Sequence, residues 1–199
     1  MKQLGLMIDM NRCTGCKTCV VACRNAKELL DHEQAMPGDI PFYIRVESVL
    51  EGTYPVLSER CWVVPCQHCK NAPCIAACDN QAIGKDPQTG IVRIDRNKCA
   101  GSGKCIEACP WDVIQFDKAG NYAHKCDLCY DRVVFGGTPV CAEVCMTDAI
   151  SFGELGELKN RARETGREID RKMSAMSIVY LKPALKNTLA TGGSAGAPT

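Results

Sequence analysis

Long apolar runs are missing from this sequence. No stretch of its 199 residues approaches the roughly eighteen consecutive apolar residues of a transmembrane helix, so membrane contact is expected only through a partner. Aromatic residues are scarce, with four Phe, five Tyr and two Trp. A side-chain core built from so few rings would be thin, and something else is expected to fill the middle. Neither sign of charge is in excess: 24 Lys and Arg against 23 Asp and Glu leave a formal charge of +1. That balance excludes a global basic field for nucleic acid, though not a local patch. There is no phosphate loop, no dinucleotide fingerprint and no persuasive constellation of catalytic acid and base, so a catalytic site of the chain's own is not expected. Met1 to Ile8 is followed almost at once by Cys13, with no charged leader, apolar signal core or twin arginine. This speaks against a secreted disulfide framework. Cytoplasmic residence is expected, or a membrane-associated or periplasmic one if the chain is exported alongside a partner.

Cysteine is what the sequence has in abundance, at sixteen residues. Fifteen of them fall into four groups, and the groups repeat. Ile8-Asp9-Met10-Asn11-Arg12-Cys13-Thr14-Gly15 recurs as Ile94-Asp95-Arg96-Asn97-Lys98-Cys99-Ala100-Gly101. Each copy continues into a compact set: Cys13, Cys16, Cys19 and Cys23 in the first, Cys99, Ser102, Cys105 and Cys109 in the second. Two further sets are expanded: Cys66, Cys69, Cys74 and Cys78, and Cys126, Cys129, Cys141 and Cys145. Strands are expected before the motifs at Leu4 to Asp9, Cys61 to Val64 and Ile91 to Asp95, and after them at Asp112 to Phe116 and Asp148 to Phe152. Gln81 to Gly84 is a similar short apolar segment. Cys19 and Cys23 are four residues apart, which puts them on one side of a short helix. The unit reads as strand, ligand loop, short helix, strand, and the fold class as α+β. Phe42 to Leu50 reads as a further strand and Glu51 to Pro55 as a turn. Gly153 to Lys172 mixes both charge signs and reads as a solvated helical segment, and the Gly, Ala, Ser, Thr and Pro tail from Thr188 as flexible.

Soft thiolate donors suit disulfides, zinc or iron–sulfur clusters, and spacing must decide. Structural zinc uses two separated pairs of ligands. Three thiols within seven residues, then a fourth after three more, match the bacterial ferredoxin run instead. A tight loop can cap three irons of a cubane, while a cysteine one helical turn away faces outward towards a neighbouring cluster. Four such groups favour iron–sulfur over zinc, and zinc over disulfides. Cys61, in the apolar run Cys61-Trp62-Val63-Val64, reads as a buried core thiol. His68 and His124 read as hydrogen-bonding residues rather than ligands, Trp111 as packing, and Pro65, Pro73 and Pro110 as fixing the chain beside the loops. Ser102 stands where the repeat has Cys16. A hydroxyl holds iron poorly near neutral pH, which favours a 3Fe-4S centre. A 4Fe-4S cluster with Ser102 Oγ as fourth ligand, or a loop without a cluster, are the alternatives.

Four cysteine groups, with Cys66-Gln67-His68-Cys69 in the second and Cys109-Pro110-Trp111 closing the third, resemble the iron–sulfur subunit of the dimethyl sulfoxide reductase family. The length is close to that of its polysulfide and thiosulfate reductase members. The resemblance runs from about residue 4 to 153. It implies two ferredoxin-like halves, one from 1–55 plus 119–153 and one inserted at 56–118, followed by a charged C-terminal segment and flexible tail at 154–199. It implies four clusters with crossed ligand sets: Cys13, Cys16, Cys19 and Cys145; Cys126, Cys129, Cys141 and Cys23; Cys66, Cys69, Cys74 and Cys109; and Cys99, Cys105 and Cys78 with Ser102 at the open corner. Respiratory nitrate reductase relatives also lack a cysteine at the position of Ser102 and carry a 3Fe-4S centre there. The implied function is relay of single electrons between a molybdopterin catalytic subunit, with Mo or W, and a quinone-linked membrane subunit or soluble donor. A free polyferredoxin carrier and a zinc-stabilised interaction module are the rival readings.

Overall fold

The computed structural model describes residues 2–29, 42–117, 120–170 and 177–183. The expected tail from Thr188 to Thr199 lies outside them. What is described is a set of short strands and helices, as an α+β reading requires. Strand β1 (Leu4–Asp9) is the middle of a three-stranded sheet, with Leu6, Met7 and Ile8 all buried. It leads through the first cysteine loop into helix α1 (Thr18–Ala26), whose buried face carries Cys19 and Cys23.

A hairpin follows. Strands β2 (Ile44–Thr53) and β3 (Val56–Pro65) pair along their whole length, from Ile44 opposite Pro65 to Thr53 opposite Val56. The expected turn over Glu51 to Pro55 is therefore narrower: pairing continues to Thr53, and only Tyr54 and Pro55 connect the strands. The inner half buries Ile44, Val63 and Val64, whereas Leu50, Tyr54, Val56 and Leu57 near the tip are exposed.

Next come helix α2 (Pro73–Ala76), strands β4 (Ile83–Lys85) and β5 (Val92–Ile94), helix α3 (Lys104–Glu107), and strands β6 (Gln115–Asp117) and β7 (Tyr122–His124). Pro73 opens α2, where its missing N–H is no loss. Helices α4 (Tyr130–Val133) and α5 (Val140–Glu143) then lead to β8 (Ile150–Glu154). One pairing rule appears twice. β1, before the first motif, runs antiparallel to β8, after the fourth, with Ile8 opposite Ile150. β5, before the third motif, runs antiparallel to β4, after the second, with Ile94 opposite Ile83. Likewise α1 packs on α5 and α2 on α3. Motifs far apart in sequence are thereby set side by side.

The C-terminal segment departs from the charged, solvated reading. Helix α6 (Leu155–Glu164) does present charge outward, but Leu155, Leu158 and Ala162, at i, i+3 and i+7, are buried against Met7, Val179 and Leu181. Each leucine contributes about 1.5–3 kcal/mol by burial. Strand β9 (Ile178–Leu181) then lies parallel to β1, buried at every position. A helix can be polar in composition and still donate one apolar stripe. Tyr180 Oη donates to Val63 O at 2.9 Å and accepts from Gln67 Nε2 at 3.2 Å, so β9 is tied to β3 and to the second cysteine loop. Arg167 pairs with Asp9 at the end of β1. Among the described residues no helix is long and apolar enough to cross a membrane.

Candidate functional site

Three small pockets lie among the cysteine loops. The first is lined by Cys13, Cys16, Cys19 and Cys145, together with Val46, Val63 and Ile150. The second is lined by Cys66, Cys69, Cys74 and Cys109, with Pro73, Pro110 and Trp111 in its wall. The third is lined by Cys78, Cys99, Ser102 and Cys105. Each draws its donors from two motifs, because the β1–β8 and β4–β5 pairings bring those motifs together. The remaining thiols, Cys23, Cys126, Cys129 and Cys141, are all buried, and they form a fourth group of mutual neighbours: Cys23 with Cys129, and Cys141 with both. Cys61 is buried outside the four groups, its Sγ against the first loop at Gly15.

The loops carry the sequence repeat in their backbone. Gly15 and Lys17 have φ of 70° and 60°, and Gly101 and Gly103, their counterparts, have 73° each. His68 and Leu128, each just before the second cysteine of an expanded motif, have φ of 45° and 55°. Gln81, Asp112 and Asp148, each three residues past the last cysteine of its motif, have 50°, 48° and 50°. Left-handed residues cost non-glycine side chains about 1–2 kcal/mol each. They turn successive N–H groups to one concave side, the arrangement that receives anions and iron–sulfur centres. Backbone N–H groups already point at sulfur: Ala82 N donates to Cys78 Sγ and Ala149 N to Cys145 Sγ, both at 3.2 Å, and Leu128 N to Cys126 Sγ at 3.4 Å.

Burial sets the proton affinity of the thiols. It pushes Cys19 and Cys74 up to about 11 and Cys23 up to about 12, and Cys126 well above the ordinary thiol value. Cys16 goes the other way: it is exposed, and hydrogen bonds from Thr18 lower it. Thiols that burial holds neutral give up protons only to a strong Lewis acid, so metal loading must release them. The kind of metal centre is constrained too. A single zinc needs four donors about 2–2.3 Å from one point. Among the described residues no three His, Cys, Asp or Glu side chains converge to hold one ion. Four donors gathered from two loops around one pocket suit a multi-iron core, and the N–H groups aimed at sulfur suit its sulfurs.

The residues flanking the ligand loops are hydrogen-bonded or packed. Val92 N donates to His68 Nδ1 at 3.0 Å, and burial holds the His68 ring neutral, well below its usual pKa. His124 makes edge contacts with Tyr43 and Tyr122. Trp111 packs in the wall of the second cavity, where Arg45 holds its carbonyl at 3.0 Å. Sequence reasoning missed three side chains. Gln67 bridges to Tyr180, Lys85 Nζ donates to Cys69 O at 2.8 Å, and Lys125, only 4% exposed, donates to Val92 O and to Cys126 O. The only signal for Lys125 was its place directly before Cys126.

Comparison with known proteins agrees with the donor chemistry. A 4Fe-4S dicluster domain model matches residues 60–155, and a 4Fe-4S binding domain model matches residues 6–26. A sulfite dehydrogenase subunit of Allochromatium vinosum is 35% identical over 67% of this chain, a match spanning 58% of that subunit's own length. One of the chains of the anaerobic dimethyl sulfoxide reductase of Haemophilus influenzae is 32% identical over 70% of this chain and 68% of its own. The thiosulfate reductase electron transfer subunit PhsB of Salmonella typhi is 32% identical over 69% of this chain and 68% of its own.

Proposed function

Since the chain belongs to the family of iron–sulfur electron-transfer subunits found in anaerobic dimethyl sulfoxide reductase and thiosulfate reductase, we propose that it relays single electrons between a molybdopterin catalytic subunit and a quinone-linked membrane subunit or soluble redox partner. The observation that carries this reading is the recurrence of one arrangement, a small pocket lined by four donors from two paired motifs. Four iron–sulfur sites follow. Cys13, Cys16, Cys19 and Cys145 would hold one, and Cys126, Cys129, Cys141 and Cys23 the next. Cys66, Cys69, Cys74 and Cys109 would hold the third, and Cys99, Cys105 and Cys78 the fourth, with Ser102 at the corner where a 3Fe-4S centre leaves iron out. When bound, such clusters supply one-electron redox chemistry at potentials tuned by charge, hydrogen bonds and exposure.

The chain's own residues do the rest. Paired strands fix the spacing between sites, buried Ile8, Leu128 and Ile150 keep water away, and loop N–H groups direct positive dipoles at the sulfurs. The twice-used strand pairing supports two ferredoxin-like halves, one built around β1 and β8 and one around β4 and β5, with α6 and β9 closing over β1. A partner surface is supported beside the first cavity, where Met146 follows Cys145 and Val21 lies on α1, exposed at 76% and 62%.

The test is purification without oxygen, with its neighbours, under native conditions. The expected result is about fifteen or sixteen iron atoms and acid-labile sulfide per chain, paramagnetic signals on reduction, and a large molybdopterin protein at fixed stoichiometry. Zinc without sulfide would overturn the cluster reading, and a stable lone monomer in cell extract would favour a free polyferredoxin carrier.

A further inference from the structure

A buried ammonium group without a counter-charge costs several kcal/mol. Lys125 is such a group. It is 4% exposed, its Nζ donates to Val92 O and to Cys126 O, and among the described residues no carboxylate pairs with it. A chain that keeps a cation there requires an anion that its own side chains do not supply. The two carbonyls locate that anion. Val92 forms part of the wall around Cys66, Cys69, Cys74 and Cys109, and Cys126 belongs to the neighbouring group with Cys23. Burial raises the Cys74 thiol, and Lys125 is the strongest pull back down. Lys85, at the end of β4 and also without a carboxylate among the described residues, holds Cys69 O of that cavity's loop at 2.8 Å. Elsewhere the pattern is different: Lys27, beside Cys23, is neutralised by Asp127 at 2.8 Å.

We propose that Lys125, with Lys85 behind it, is a fixed positive charge between two neighbouring cluster sites that raises the reduction potential of the Cys66, Cys69, Cys74 and Cys109 site most and that of the Cys23, Cys126, Cys129 and Cys141 site second. This rests on the four-site reading above. The physical reason is Coulombic. A core gripped by four thiolates is anionic, and reduction adds one more negative charge. A nearby fixed cation in a low-dielectric setting therefore stabilises the reduced form more than the oxidised form. Lys125 acts as a positioning residue for charge and touches no reacting atom in this scheme.

The test is a redox titration followed by electron paramagnetic resonance on the complete cluster-loaded chain, comparing wild type with Lys125→Met and Lys125→Arg. In Lys125→Met, at unchanged iron and sulfide content, one midpoint falls clearly. It belongs to the centre whose paramagnetic signal Cys74→Ser changes. A second midpoint falls less, and the other two stay in place. Lys125→Arg keeps the charge and restores both. The proposal is overturned if all midpoints stay fixed in a fully loaded Lys125→Met, or if Lys125→Arg lowers them equally, which would make packing the cause. Should Lys125→Met fail to load, Lys85→Gln carries the same test at a partly exposed position. The same centre falls, and a loaded Lys85→Gln with no shift overturns the proposal. Failure of the four-site reading is distinguishable, because the unmodified chain would then lack four sites' worth of iron.

Discussion

The loop from Cys13 to Cys23 and its repeat from Cys99 to Cys109 share a backbone and differ in what they offer a metal. Gly15 and Lys17 take the left-handed turns that Gly101 and Gly103 take in the copy. Beyond the loop they diverge: α1 runs for nine residues and α3 for four. The first loop presents the exposed Cys16 where the second presents the exposed Ser102. Gly15 sits against Cys61, and Gly101 against Asn121. Backbone turns fix where a donor stands, and side-chain chemistry then decides what that donor can hold. The two properties are separable, so each can be changed without the other.

The largest expected effect comes from exchanging the donors. Ser102→Cys should add about one iron per chain and replace the paramagnetic signature of a three-iron centre with that of a four-iron one; Cys16→Ser should do the reverse at the first site. Unchanged iron content in Ser102→Cys would mean that the corner is already filled, with Ser102 Oγ as ligand. Next in size is the turn. A Cβ at Gly15 would stand 2.7 Å from Cys61 Sγ at a φ of 70°, whereas at Gly103 it would meet open space at 73°. Gly15→Ala should therefore cost about 3 kcal/mol or more, strain plus clash, and Gly103→Ala only about 1–2 kcal/mol. Urea unfolding of loaded protein, followed by visible absorbance, measures the gap; equal losses would remove Cys61 from the account.

A smaller effect concerns the tie between the β4–β5 hairpin and the fourth motif. Tyr130 Oη donates to Asp86 Oδ2 at 2.6 Å, and that bond, followed by Thr89 N–H, lowers the Asp86 pKa. A carboxyl depressed on folding contributes stability above its unfolded pKa, near 4, and loses it as pH falls through the lower folded value. Tyr130→Phe should lower stability measurably at neutral pH. The gap from wild type should shrink below about pH 4, which stability measured across pH checks. Smallest of all, Lys17→Gly relaxes a left-handed lysine and should gain up to about 1 kcal/mol, less whatever freedom glycine adds to the unfolded chain. A loss there would show that Lys17 contributes more than its backbone turn.

Much of the fold was legible because it is local. β1 spans Leu4–Asp9, as expected of a strand before the first motif, and the four-residue step from Cys19 to Cys23 places both on one face of α1. Cys61 is buried, in keeping with its apolar run. The role of the C-terminal part was not legible. Ile178 to Leu181 is only four residues, just beyond the charge-rich stretch, and its burial depends on β1, far away in sequence. The contact between Cys61 and Gly15 is equally long-range. Lys125 escaped notice because a lysine beside a cysteine reads as surface until the two carbonyls around its ammonium are seen. Spacing identified the motifs and the family resemblance implied which of them share donors, but the physical reason, the strand pairing that sets them side by side, was not legible.

That pairing also sets an order of assembly. The cavity behind Cys66 lacks only Cys109, and the one behind Cys78 lacks only the Cys99 loop, so both can close while the later part of the chain is still on the ribosome. The cavity behind Cys13 must wait for Cys145, although its first three thiols are translated well before it. During that interval Cys16, which stays exposed even in the finished fold, is open to oxidants or stray copper. The loop translated before the other three motifs closes after two of them, and it is the loop that a cell would need to chaperone.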